Sequence, residues 1–223
     1  MILFVAMSKP EEDYPTKHKV HFEEISGRPC LMARYPQVSP DFVSRYPFRA
    51  IFIGGFGYGW DEIDLADLHG LYDVLHTTSL PVLGACGGHQ LIGHVFSEDF
   101  RQVERLADEP MRKLEPGEPD WEPDYHPGWF VEKGMQPVRI VEPDPLFAGL
   151  PEIIYVRQSH YCEVKGLPED FVLLATNENC RIQAMRHRQR PIYGTQFHPE
   201  AYTNEYLHGR QVLENFFRLA ERP

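Results

Sequence analysis

The reading of this chain turns on Val82-Leu83-Gly84-Ala85-Cys86-Gly87-Gly88-His89-Gln90-Leu91. An apolar strand, Pro81 to Ala85, runs into G-A-C-G-G, and a helical stripe follows at Leu91, Ile92 and Val95. Such a strand-turn-helix step is a nucleophile elbow, here with Cys in place of Ser. The sharp turn forces the nucleophile into a strained backbone conformation. Side chains two residues before and after it would collide, so Gly84 and Gly88 are required for steric reasons. The thiol then sits at a helix N-terminus, where the macrodipole and free N–H groups favour thiolate over thiol. The N–H of Gly87 points to where an oxyanion would form. The competing reading is a buried structural cysteine in a tight β-α turn, and a base elsewhere in the chain must decide between them.

Outward from the elbow, buried strands alternate with helical segments. Ile2 to Val5 and Arg49 to Ile53 are short apolar runs, and the second ends abruptly in Gly54-Gly55. Glu62 to His76 carries Ile63, Leu65, Leu68, Leu71, Tyr72 and Leu75 at near-helical spacing. This alternation predicts an α/β fold with a mostly parallel central sheet flanked by helices. Beyond it, Gln136 to Val141, Ile153 to Val156, Phe171 to Ala175 and Arg181 to Met185 read as short strands in antiparallel pairs, a small antiparallel excursion. Ile192 to Phe197 reads as one more strand, and Glu205 to Ala220 as a closing helix. No repeat, low-complexity tract or clear linker divides the chain, so residues 1–223 are expected to form one domain.

Residues 108–130 break the pattern, with five prolines among seven acidic residues. They read as an extended excursion over the surface, either a solvated loop or a lid. Trp121, Tyr125, Trp129 and Phe130 argue for ordered packing.

Composition excludes several function classes. The net charge of −11 repels phosphate backbones and anionic membranes, so neither nucleic acid nor membrane is an expected partner. The longest apolar run, Met1 to Met7, is far shorter than the about 20 residues a span requires. It has no basic flank or small-residue cleavage site, so it is not read as a signal peptide. Cys30, Cys86, Cys162 and Cys180 fit neither a zinc knuckle nor a disulfide framework, and read as reduced thiols in a cytoplasmic protein. His18, His21, His69, His76, His126, His187 and His208 show no metal-ligand spacing. No metal or cofactor is expected.

The base is found in Ile192 to Glu200, a strand ending in His198-Pro199-Glu200. Pro199 biases His198 toward extended geometry, in which residues i and i+2 share a face. Glu200 can then orient the His198 imidazole, which would take the thiol proton and later protonate a leaving amine. A third piece is Gly54-Gly55-Phe56-Gly57-Tyr58-Gly59. Its spacing is not that of a dinucleotide loop. At the carboxyl end of a sheet strand it lies beside the elbow, where a glycine N–H can supply a second oxyanion donor. His89, three residues past Cys86 and on roughly the same helix face, reads as a surface residue, with a pocket-lining residue as the alternative.

Gly84-x-Cys86-x-Gly88-x-Gln90, Gln196-Phe197-His198-Pro199-Glu200 and Gly54-Gly55 together resemble the triad-type (class I) glutamine amidotransferase family. Its glutaminase fold, flavodoxin-like, is found in GMP synthetase, carbamoyl-phosphate synthetase and anthranilate synthase. The resemblance covers nearly the whole chain. It implies that Cys86 attacks the glutamine side-chain amide, forming a γ-glutamyl thioester and releasing ammonia. His198 would be the general acid/base and Glu200 its orienting carboxylate. Gly55 and Gly87 would form the oxyanion hole, and Gln90, Ser159 and His160 would line the glutamine site. Glu132-Lys133-Gly134 resembles the family's E-x-G step, and Asp144 to Leu150 its D-P-L-F-x-G-L turn. Tyr161 and Cys162 stand where a Gly and an Asp often follow the Ser-His pair.

Three functions follow. One is a glutaminase passing ammonia to a separate synthetase subunit, since the glutaminase domain occupies the whole chain. The second is a stand-alone hydrolase of γ-glutamyl amides or peptides, which the Tyr161-Cys162 departure favours. The third, a non-catalytic binding protein, is opposed by the intact Cys86-His198-Glu200 set.

Overall fold

The computed structural model describes residues 1–9, 12–124 and 126–221. Among the described residues nine strands form one sheet in the order β2-β1-β3-β4-β9-β8-β7-β5-β6. Strands β1 (Ile2–Ala6), β2 (Cys30–Arg34), β3 (Ala50–Ile53), β4 (Val82–Ala85) and β9 (Ile192–Thr195) run parallel. Strands β5 (Glu132–Ile140), β6 (Ile153–His160), β7 (Phe171–Thr176) and β8 (Ala184–His187) extend the sheet in antiparallel pairs. The antiparallel part is therefore nearly half of the sheet rather than a small excursion.

Alternation along the parallel strands builds two cores. Leu3, Val5, Ile51 and Ile53 face one way, against Leu68, Leu71, Val74 and Leu75 of α3 (Leu65–Thr77) and Leu91 and Ile92 of α4 (Gly87–Val95). Ile2, Phe4 and Phe52 face the other way. They meet Phe22 of α1 (Thr16–Ser26) and Val212, Leu213, Phe216 and Phe217 of α5 (His208–Leu219). Asp64 starts α3 by accepting from the Ala66 N–H at 2.9 Å, a side-chain cap on an otherwise unpaired donor. A short helix, α2 (Pro40–Ser44), has Ser39 as its cap. No described helix is long and apolar enough to cross a membrane.

The expected strands and helices are present, with shifted bounds. β5 begins earlier than Gln136, β8 lies later than Arg181, and β9 ends at Thr195 instead of Phe197. The sequence reading assigned neither α1 nor β2. Only Phe22 of α1 is buried, so Thr16–Ser26 shows no apolar stripe. β2 lies at the sheet edge, where three of its five residues are only half-buried.

Residues 108–130 are anchored. Pro110 bridges to Cys162 and Lys113 to Trp129. The Lys113 ammonium lies 3.7 Å from the Trp129 ring centroid, and the Arg112 guanidinium 4.0 Å from that of Phe130. Trp129 and Phe130 thus pack as expected, Trp121 stays exposed, and Tyr125 lies outside the described residues.

His89 corrects the expectation of a surface residue. It is wholly buried on α4, and its ring meets the β9 backbone at Gly194. Its short helix is buried nearly all round, because α4 is enclosed between the sheet and the 160s segment. Burial, aided by His160, pushes His89 from 6.5 down to about 3. The unfolded chain therefore takes up this proton near pH 6.5 and the folded chain only near 3, so stability falls as pH drops through that window. His89→Gln should flatten this fall in urea unfolding at pH 7 and pH 5; an unchanged pH dependence would contradict it.

The elbow gives a second prediction. A Cβ on Gly84 would run into the Gly88 carbonyl, whereas one on Gly166 meets nothing within 4 Å. Gly84→Ala should cost ~3 kcal/mol by overpacking against backbone, and Gly166→Ala should be close to neutral. Equal melting temperatures for the two variants would refute the steric account.

Candidate active site

Cys86 ends β4 and begins α4 with φ 52° and ψ −109°. Among the described residues it is the sole non-glycine with positive φ. Backbone bonds fix it on both sides: its N–H donates to Thr195 O at 2.8 Å, and its carbonyl accepts from the Gln90 N–H at 3.0 Å. The first tie is to β9, so the elbow is anchored to the strand that carries the base. Gly88 lets α4 approach β3, since a Cβ there would strike the Ile53 carbonyl. The strain is therefore over-determined by its surroundings.

His198 follows β9 in extended conformation, with φ −97° and ψ 91°, as the adjoining proline requires. Glu200 lies in a 3-10 turn, Pro199–Ala201, and not on an extended segment. The turn still brings the carboxylate back: His198 Nδ1 donates to Glu200 Oε1 at 2.7 Å. α5 holds this turn in place. Gly209 packs directly on Pro199, and a Cβ would come within 2.6 Å of the Pro199 carbonyl. The His198 N–H donates to Arg157 O at 2.9 Å, which ties the base to β6.

The electrostatics of the pair are reciprocal. Burial alone pulls His198 down, but Glu200 and Cys86, through charge and hydrogen bonds, lift it well above its ordinary value. Burial pushes Glu200 up, and the His198 imidazolium outweighs this, leaving its carboxyl below its ordinary value. Each group stabilises the other's charged form.

The glycine loop after β3 passes over this pair. A Cβ on Gly55 would lie 3.1 Å from Cys86 Cβ and 3.2 Å from His198 Cε1, so only glycine fits without displacing them. Gly87 opens α4 beneath Phe56, whose ring lies 2.5 Å from where a Cβ would stand. Cys86, His198, Gly55 and Gly87 share the wall of one cavity of about 440 Å³.

Gln90, Ser159 and His160 line the same cavity, by different routes. Gln90 is already engaged: Oε1 accepts from Trp60 Nε1 at 3.0 Å, and Nε2 donates to Cys162 O at 3.0 Å. Ser159 is exposed on β6, and its carbonyl lies 3.8 Å from Cys86 Sγ. His160 is buried between Glu132 Oε2, 3.0 Å from Nε2, and Cys162 O, 2.9 Å from Nδ1. Asn177 and Gln183 complete the shell of Glu132. His160 therefore braces the cavity wall. The Glu132-Lys133-Gly134 step supplies its carboxylate from the paired strand, in register with His160.

Three cavity residues were not legible as such. Trp60, Asp108 and Tyr161 form a hydrogen-bonded brace: Asp108 Oδ1 accepts from the Trp60 N–H at 2.9 Å, and Oδ2 from the Tyr161 hydroxyl. Only the departure at Tyr161 marked this region in the sequence.

Comparison with known proteins agrees with this geometry. The family "Glutamine amidotransferase class-I" matches residues 43–220. The glutamine-hydrolysing GMP synthase subunit of Pyrococcus abyssi is 38% identical over 63% of this chain, a match spanning 61% of that relative's length. The corresponding protein of Methanosarcina acetivorans is 31% identical over 84% of this chain and 82% of its own. In fold, a solved chain from Thermoplasma acidophilum, described as a GMP synthase subunit, superposes with TM-score 0.73 at 24% identity, covering 98% of this chain and 92% of that one. This chain belongs to the class-I glutamine amidotransferase family.

Proposed function

We propose that this protein hydrolyses the side-chain amide of glutamine at Cys86 and releases ammonia to a separate synthetase subunit. The observation that carries it is the strained Cys86 beside a His198 whose Nδ1 is held 2.7 Å from Glu200. With Nδ1 donating to the carboxylate, Nε2 is left for the thiol side. Cys86 Sγ attacks the amide carbon, having given its proton to His198. The carbonyl oxygen gathers negative charge, and the N–H groups of Gly55 and Gly87 receive it. His198 then protonates the nitrogen, the C–N bond breaks, and ammonia leaves a γ-glutamyl thioester. Water attacks that thioester with His198 as base, giving glutamate and free Cys86. Glu200 keeps the imidazole oriented and stabilises its charge throughout. The separate synthetase rests on the relatives, which are subunits of a glutamine-hydrolysing GMP synthase.

A second reading, hydrolysis of γ-glutamyl amides or peptides by the same triad, is favoured by one observation. The cavity of about 440 Å³, within the ordinary range of small-molecule sites, has room for a leaving group larger than ammonia.

The deciding experiment measures ammonia and glutamate release from L-glutamine beside a panel of γ-glutamyl peptides, with Cys86→Ala as control. Cys86-dependent glutamine turnover supports the first reading, and peptide cleavage with little glutamine turnover supports the second. Turnover unaffected by Cys86→Ala would sink both. His198→Ala should cost ~10²- to 10⁴-fold in kcat, the usual contribution of a general acid/base. Glu200→Gln should cost less, because an orienting group is partly replaceable.

Alkylation checks the nucleophile independently. Burial pushes Cys30 and Cys162 up to about 12 and Cys180 well above its ordinary value. Iodoacetamide should therefore label Cys86 first in the native protein, as mass spectrometry of digests would show. Equal labelling of all four cysteines would count against an activated thiol.

A further inference from the structure

The cavity in front of Cys86 has two chemically different sides. Cys86, His198, Gly55 and Gly87 form the reacting side. The remaining wall includes Trp60, Gln90, Asp108, Glu122 and Tyr161. Among the described residues lining the cavity there are two carboxylates and neither Lys nor Arg. Both carboxylates come from the 108–130 crossing.

Asp108 is fixed with care. Trp60 N–H and the Tyr161 hydroxyl each donate to one of its oxygens, and Trp60 Nε1 donates in turn to Gln90 Oε1. Asp108, Trp60 and Gln90 are thus consecutive members of one hydrogen-bonded wall. Each carboxylate oxygen and the amide oxygen have a second lone pair, so the wall has acceptors to spare. His126, from the same crossing, stacks on Tyr161 and holds the brace from outside. Burial and the Asp108 contact push the Tyr161 hydroxyl far up, so it remains a donor to Asp108 over the whole working range. Glu122 is a second, more solvated carboxylate, with Lys133 Nζ 3.4 Å away.

A γ-glutamyl substrate with its amide carbon at Cys86 carries an α-ammonium and an α-carboxylate at its far end. A wall of acceptors lined by neither Lys nor Arg accommodates the first and offers the second no Lys or Arg partner from the lining. We propose that Asp108, supported by Glu122, receives the α-ammonium group, so that a free α-amine is the feature by which this protein selects its substrates. This rests on the amide-hydrolysis reading above.

The test compares L-glutamine with 4-carbamoylbutanoate, its analogue without the amine, in two ways: kcat/KM in the active protein, and calorimetric binding to Cys86→Ala. The amine should be preferred about 10- to 100-fold, as expected for hydrogen bonds to a charged group. Asp108→Asn should bring the two compounds within about 3-fold of each other, by lowering glutamine and sparing the analogue. Tyr161→Phe removes the brace but keeps the carboxylate, and should keep the preference. Glu122→Gln, on an exposed segment, should lower the preference several-fold without any folding cost.

The proposal is overturned if Asp108→Asn weakens both compounds alike, if Tyr161→Phe abolishes the preference as Asp108→Asn does, or if Glu122→Gln leaves it unchanged in a case where Asp108→Asn fails to fold. Failure of the hydrolysis reading looks different. No amide would then be turned over, while Cys86→Ala would still bind the amine-bearing compound more tightly and lose that preference with Asp108→Asn.

Discussion

The positive φ of Cys86 is the constraint on which the site depends. A cysteine left free would relax out of that conformation, because its Cβ is crowded there. It is held by three neighbours in the sheet order. β4 supplies the strand that ends at the elbow, β3 lies on one side with its Gly54-Gly55 loop, and β9 lies on the other with Thr195 accepting from the Cys86 N–H. The parallel order β3-β4-β9 thus does more than bury apolar surface. It brings Cys86, the glycine loop and His198 to the carboxyl ends of three adjacent strands, where open α/β sheets place their ligands. Glycine at 84 and 88 is the steric condition for that meeting.

The second half of the chain has a different task. The antiparallel strands reach the site sideways. β6 passes Ser159 beneath Cys86 Sγ and fixes His198 through Arg157. β5 runs in register with β6, so Glu132 lands opposite His160 and a buried acid-base contact ties the two strands under the cavity. Such a contact is costly to desolvate, and the hydrogen bonds from Asn177 and Gln183 to the same carboxylate offset that cost. These paired strands therefore also supply the rigidity of the cavity floor.

What was legible in the sequence follows from local physics. The elbow is readable because its sterics leave only glycine at two positions, and the His198-Pro199-Glu200 step because proline restricts the residue before it. The reason assigned to that step was incomplete: Glu200 returns to His198 through a 3-10 turn closed by α5, which requires knowing where Gly209 packs. α1 escaped notice because a helix burying a single Phe22 has no stripe to find. His89 looked like a surface residue because helix position says nothing about what a short helix is enclosed by. Gln90 was legible as a site residue, but not its engagement with Trp60 and Cys162, which join it from distant parts of the chain.

The 108–130 crossing is where legibility ends. Its prolines and acids announce an irregular path, and irregular paths are written by long-range contacts. Asp108 meets Trp60 and Tyr161 only after the two halves of the sheet have come together, so no window of sequence contains the brace. That division has a chemical consequence. Cys86 and His198 follow strands of the parallel half, and Asp108 and Glu122 reach the same cavity from the crossing. On the proposals made above, the elbow sets the reaction, and the crossing that supplies Asp108 and Glu122 sets the choice of substrate.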